Sequence, residues 1–294
     1  MAISGRQNTG LSAQSRTLQA GGSALGKAVA YFAGLIAAAA FALPFFWMVS
    51  TSLKVPGDVF ISPPTWIPWP LKWQTYPEAW TFIPFFSYTV NTLQIAIPSI
   101  IGVLFSCTLT AYGFARIRAW GRDVLFFICL STMMIPWAVT MVPVFVIFKN
   151  LGWTGTYLPL IVPNFLGSAF YIFLLRQFFL TIPMELSDAA RVDGCSELGI
   201  FARIILPLSK PVLATVTLFE FNRVWSDYLA PLIFLTRQEH FTIALGLTYF
   251  LDRDRPLWNL AMAGNTMAIL PVIIVFVLAQ RAFIEGITLT GIKG

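Results

Sequence analysis

Charge is scarce in this 294-residue chain: Asp, Glu, Lys and Arg make up 11% of it, hydrophobic residues 57%, and the mean hydropathy is +0.75. That shortage excludes an ordinary soluble domain, in which about a quarter of residues are charged. Histidine occurs once, at His240, which rules out His-pair metal motifs and leaves that residue as a plain surface group. Three cysteines, Cys107, Cys129 and Cys195, are too few for a disulfide framework and read as packing thiols. Alternating strands are missing as well. Stretches such as AYFAGLIAAAAFALPFFWMV are apolar throughout, which argues against a transmembrane barrel. A working phosphate loop is also absent: GGSALGKA sets Gly21, Gly26 and Lys27 at the right spacing, but Ala28 stands where a magnesium-binding Ser or Thr is needed and no strand precedes it. No paired nucleophile and base is evident, so neither a catalytic site nor a cofactor or metal is expected in this chain.

What the chain has in abundance is long apolar runs. A hydrocarbon core of about 30 Å takes roughly 20 helical residues. Runs of that kind fall at 28–53, 87–115, 124–148, 158–180, 212–234 and 259–283, which predicts an all-α polytopic membrane protein with six transmembrane helices. A disordered tail is expected over 1–27, a six-helix domain over 28–283, and a second tail over 284–294. Prolines 98, 136, 143, 163, 231 and 271 are expected to interrupt several spans.

With six crossings both termini share a side. That side holds Arg6, Arg16, Lys27, Arg116, Arg118, Arg122, Arg176, Arg191, Arg203, Lys210, Arg281 and Lys293; the other holds Lys54, Lys72, Lys149, Arg237, Arg253 and Arg255. The excess of basic residues predicts that both ends are cytoplasmic. The net charge of +6 is then a topology signal and does not call for nucleic acid. Between 54 and 85 several prolines alternate with Trp66, Trp69, Trp73 and Trp80, a pattern suited to an interfacial aromatic belt or to a docking surface for an external protein.

One polar segment, residues 181–211, interrupts the apolar pattern on the cytoplasmic side. Pro183 can open a helix, and Glu185 and Asp188 suit its first turns, where the backbone dipole is positive. Leu186, Ala189, Ala190 and Asp193 recur at spacings of three and four, and Gly194 permits a sharp turn before a second helical stretch that Pro207 and Pro211 terminate. A short polar helix pair of this kind needs a surface to lie on, whether its own bundle or a soluble partner.

ELSDAARVDGCSELGIFARIILP resembles the cytoplasmic loop of ABC importer permeases, matching its pattern at Asp188, Ala189, Ala190, Gly194, Ile204, Leu206 and Pro207. Asp188 departs from it, since Glu is usual there. VWSDYLAPLIFL is similar to the fifth-helix pattern of the carbohydrate-uptake, maltose-type group, with Ser226 where Asn is usual, and GITLTGIKG resembles the glycine-spaced ending of its smaller permease subunit. The resemblance implies a type I importer permease fold and a coupling helix, with Glu185 and the matched loop residues, that fits a groove on a cytoplasmic ATPase. It also implies a second homologous permease, two ATPase subunits that bind ATP and Mg, a C-terminal tail directed at them, and an extracytoplasmic solute-binding protein. The solute would be a sugar, with a di- or oligosaccharide expected and a polyol or glycerol phosphate as the alternative.

The fifth span carries charge at membrane depth. Glu220, Arg223 and Asp227, at spacings of three and four, are expected on one helical face, either neutralising one another or, with Asn222 and Trp225, lining a hydrophilic path. Asn91 is a further path candidate. An ion-coupled secondary transporter using Glu220 and Asp227 would show internal repeats, and no convincing pair of similar halves is found.

Overall fold

The computed structural model describes residues 9–251 and 256–291, with side chains for 26–251 and 256–280. Long apolar runs have no partner for their backbone groups except themselves, so they fold as helices, and no strand occurs among the described residues. In chain order these are α1 (Thr9–Ser52), α2 (Thr75–Phe82), α3 (Phe85–Arg116), α4 (Arg122–Ser131) and α5 (Trp137–Asn150). Then come α6 (Leu158–Ile161), α7 (Ala169–Thr181), α8 (Met184–Val192), α9 (Glu197–Ile200) and α10 (Leu206–Leu208). The chain closes with α11 (Lys210–Trp225), α12 (Leu229–Phe234), α13 (Ile243–Leu247) and α14 (Trp258–Gly291).

Four segments are long and apolar enough to cross a membrane unbroken: Gly26–Ser52, Phe85–Arg116, Leu158–Thr181 and Trp258–Gln280. Two bent pairs, Arg122–Met134 with Trp137–Asn150 at 97° and Glu197–Leu208 with Lys210–Trp225 at 78°, bring the count to six if each is one crossing. The third expected span is therefore not straight. Pro136 precedes α5, and a proline there denies the chain a backbone donor and pushes Ile135 out of the helical region. Pro98, Pro143 and Pro271, expected as interruptions, lie inside continuous helices.

Two boundaries move outward. Residues 9–27, expected as a disordered tail, continue α1, and α14 runs to Gly291 rather than ending at 283; once an apolar helix is nucleated, each added residue gains a hydrogen bond. Residues 1–8, 252–255 (with Arg253 and Arg255) and 292–294 lie outside the described residues, as do the side chains of GITLTGIKG.

Helix α3 organises the interior. It runs through two buried clusters: Tyr88, Ile95 and Ala96 sit in one with Phe221, Trp225 and Phe250, while Val103, Cys107, Ala111 and Tyr112 sit in the other with Leu175, Phe179, Ile200 and Val216. Helix α1, by contrast, lies against α14 and leaves Phe32, Leu35 and Phe41 exposed. So large an apolar exterior suits lipid or a neighbouring subunit. Beyond α1 the Lys54 ammonium is fully buried over the Trp47 ring, 3.9 Å from its centroid, and burial pushes its pKa down.

Candidate functional site

The polar segment folds as the capped helix its residues predict. Pro183 occupies the N-cap of α8 and Glu185 its first turn. At the other end the Cys195 amide donates to the Ala190 carbonyl at 2.9 Å and the Gly194 amide to that of Arg191 at 3.0 Å. This paired closure requires a left-handed residue, and Gly194 sits at φ +79°. Ser196 then caps α9, its hydroxyl accepting from the Gly199 amide at 3.2 Å.

The exposed side of α8 differs from the expected one. Ser187 is buried and Ala190 turns onto the bundle, so the solvent-facing stripe is Leu186, Ala189 and Val192, joined by Leu198 of α9. Val192 is 88% exposed. Asp193 closes the helix instead of extending the patch. Glu185 and Asp188 flank the stripe in the open. Ile204 and Leu206 are half-buried against the bundle and Pro207 is exposed; all three fall in a π-helical turn, Phe201–Ile205, and in α10, which together connect α9 to α11. A proline cannot donate to the preceding turn, and the wider π turn takes up that mismatch. These three residues form a joint behind the stripe.

Sequence reasoning missed the groups that tie this loop down. Arg191 donates to Asp188 Oδ1 at 2.6 Å and to Glu197 Oε1 at 2.7 Å, and Tyr112 of α3 donates its hydroxyl to Glu197 Oε2 at 2.7 Å. The hydrogen bond from Arg191 to Glu197 raises the guanidinium above its ordinary pKa. One turn on, the buried Arg116 donates to the Phe179 and Ile182 carbonyls, and contacts Met184 Sδ at 2.8 Å. The only signal in the sequence is that Tyr112 and Arg116 stand four apart, and so share a face, at the end of a span.

The fifth span separates into two devices. Glu220 has a side chain only 1% exposed; Arg223 grips it through Nε at 2.7 Å and Nη2 at 2.6 Å, and Tyr171 adds a hydroxyl at 3.2 Å. Arg223 also donates to Asn164 Oδ1 at 3.1 Å, and Asn164 donates to Ser99 Oγ at 3.0 Å. Asp227 lies beyond the end of that helix, beside Arg223 and outside the Glu220 clasp. The helix ends at Trp225, and Asp227 Oδ1 accepts the Ala230 amide at 3.2 Å, capping the start of α12. Asp227→Asn should therefore leave thermal stability within about 0.5 kcal/mol, while Asp227→Ala should cost about 1 kcal/mol, as read from melting of the purified chain.

On the other side of α11, Asn222, Trp225, Ser226 and Tyr228 line a cavity of about 550 Å³ with Thr248 of the 248–250 turn and Asn265 of α14. Walls of α13 and α14 complete it. Aromatic faces beside dispersed amides and hydroxyls suit a solute with apolar CH faces and many hydroxyls. Asn222 and Trp225, expected beside a hydrophilic path, are among the residues lining this cavity. Glu220 is not among the lining residues, and Arg223 and Asp227 line only a small adjacent crevice. Asn91 also points elsewhere: its amide donates to the Glu239 and Phe241 carbonyls at 2.7 and 3.0 Å. No cluster of metal-binding side chains occurs among the described residues.

Residues 102–288 match the family model described as binding-protein-dependent transport system inner membrane component. The chain is 36% identical over 210 residues to the arabinooligosaccharides transport system permease protein AraQ of Bacillus subtilis, covering 71% of this chain and 74% of that protein. It is 31% identical over 272 residues to the melibiose/raffinose/stachyose import permease protein MelC of the same organism, covering 90% and 96%. Its fold matches, with a TM-score of 0.74 over 96% of this chain and all of the other, a chain from a bacterial ABC transporter involved in the import of the acidic polysaccharide alginate, at 23% identity.

Proposed function

Because the chain belongs to the family of inner membrane components of binding-protein-dependent transport systems, we propose that it is one permease subunit of an ATP-driven sugar importer, forming half of the translocation path. The relatives named above favour a sugar, in particular a di- or oligosaccharide, over a polyol or glycerol phosphate. ATP and Mg would be bound by two separate ATPase subunits, and the assembly would include a second, similar permease and an external solute-binding protein. Six crossings with cytoplasmic termini would put α8 on the ATPase side. The chain itself would make and break no covalent bond.

The observation that carries this reading is the stripe Leu186, Ala189 and Val192 on a helix fixed at both ends. An apolar face that the described residues leave uncovered calls for a groove, and a nine-residue helix closed at Gly194 and tied by the two ion pairs of Arg191 and the Tyr112–Glu197 hydrogen bond can bear load where a free one would melt. Closure of the ATPase pair would displace α8 and switch the bundle between inward and outward openings. Asp227 and Glu220 are committed to a cap and an ion pair, which counts against their serving as proton or sodium sites.

Crosslinking tests the reading. Ala189→Cys in the full assembly is expected to join to an ATPase subunit; adducts with lipid alone would overturn it. Within the cavity, Asn222→Ala and Asn265→Ala should each raise the half-saturating sugar concentration about 3- to 10-fold, the worth of one or two hydrogen bonds, without lowering the amount of assembled complex. Uptake assays in vesicles read this out, and unchanged sugar dependence in both variants would move the path elsewhere.

A further inference from the structure

Helix α3 is anchored at both ends to parts that the importer reading requires to move together. Toward its C-terminus, Tyr112 and Arg116 share a face: one holds Glu197, and through it Arg191 of α8, while the other holds the carbonyls of Phe179 and Ile182 that lead into α8. The coupling helix is thereby fixed to α3 at both of its own ends. Near the N-terminus of α3 the Thr92 hydroxyl, fully buried, accepts the Ile243 amide at 2.9 Å, and Asn91 holds the Glu239 and Phe241 carbonyls. Between them these bonds fix the start of α13. Its packing is close: a Cβ at Gly246 would lie 2.3 Å from Tyr88 Cδ2, so only glycine lets α13 rest on the Tyr88 ring. Ile243, Ala244 and Leu247 of that helix form a wall of the cavity.

Resting on the function proposed above, we infer that α3 is the transmission element of the subunit, carrying displacement of the coupling helix to the α13 wall of the sugar cavity. Its 20-residue reach from Thr92 to Tyr112 is about 30 Å, too far for direct coupling between the two ends. The helix runs unbroken from Phe85 to Arg116, losing one backbone bond at Pro98 without ending there, and its burial in both core clusters lets it move as a body. Specific polar bonds at each end, rather than apolar contact that could slip, convert that motion into displacement of its neighbours.

The test uses series logic. In the full assembly, reconstituted in vesicles with Cys107, Cys129 and Cys195 replaced by Ser, a thiol at Ala244→Cys reports on the wall through its labelling rate with a water-soluble maleimide. ATP with vanadate should change that rate at least about 5-fold, the lower range of coupling between sites. Tyr112→Phe and Thr92→Val should each remove most of the change, and the double variant should lose no more than the worse single one. Thr92→Ser, which keeps the hydroxyl, should restore it. Should Thr92→Val fail to accumulate, Asn91→Ala, which cuts two bonds at the same end, takes its place. An undiminished response in the single variants overturns the inference, and so do losses that multiply, since distant sites acting independently are additive in free energy. A reference assembly that accumulates without binding ATPase subunits overturns the importer reading and this inference with it.

Discussion

Glu220→Ala is expected to cost about 3–5 kcal/mol, enough to consume a large part of the roughly 5–15 kcal/mol that a folded domain has in reserve. The reason lies with what remains. Arg223 would lose both charge-assisted bonds to the carboxylate and be left as a cation at membrane depth, with Asn164 its remaining partner. Tyr171 would lose its acceptor as well. Little protein should then accumulate in the membrane, and the fraction extracted should melt well below the parent. Glu220→Gln keeps the shape and some bonding and should lose less. Glu220→Met combined with Arg223→Met removes both charges and should recover much of the accumulation. Equal accumulation of Glu220→Ala and the parent, measured by quantitative blotting and melting in detergent, would show that the pair is not holding α11, α7 and the 162–166 turn together.

Gly194→Val is expected to spare the bundle and abolish most transport. At φ +79° a side chain costs about 1–2 kcal/mol, and a β-branched one more, although no neighbouring atom lies within 4 Å of where its Cβ would sit. Strain there is relieved most readily by opening the turn, which breaks the two closing hydrogen bonds of α8 and shifts Arg191 away from Glu197. The effect should appear as sugar uptake falling more than about 10-fold while the complex assembles and hydrolyses ATP. Gly194→Asn, better tolerated in the left-handed region, should retain more uptake than Gly194→Val. Parallel uptake and ATPase assays decide the matter: equal performance of the valine variant and the parent would remove the loop from the coupling role.

How far residues alone reach is instructive at these two places. Gly194, Pro183 and the spacing of Glu220 and Arg223 are local statements, governed by dihedral preference and helical periodicity, and the structure agrees with each. Asp227 failed because its expected place assumed an unbroken helix through 226, whereas the chain turns there and the carboxylate caps the next one. The exposed stripe was displaced for a related reason: Leu186 and Ala189 can be completed into an apolar face by Ala190 on one side or by Val192 on the other, and only packing against the cluster around Tyr112 and Ile200 decides which is covered. Tyr112, Arg116 and Glu197 were invisible because their partners lie far along the chain, 85 residues apart in one case. Four of the six apolar runs expected from length and hydropathy correspond to helices long enough to cross a membrane unbroken. The bends at 97° and 78° within the bent pairs were not legible from either.

The bidentate clasp between Glu220 and Arg223 has an electrical corollary. An isolated charge carried across the resting field does work of about 2.3 kcal/mol per 100 mV, whereas this couple sums to zero and feels no net push. Helix α11 can accordingly shift along the bilayer normal without these two groups drawing on the voltage, whatever the energetic state of the cell.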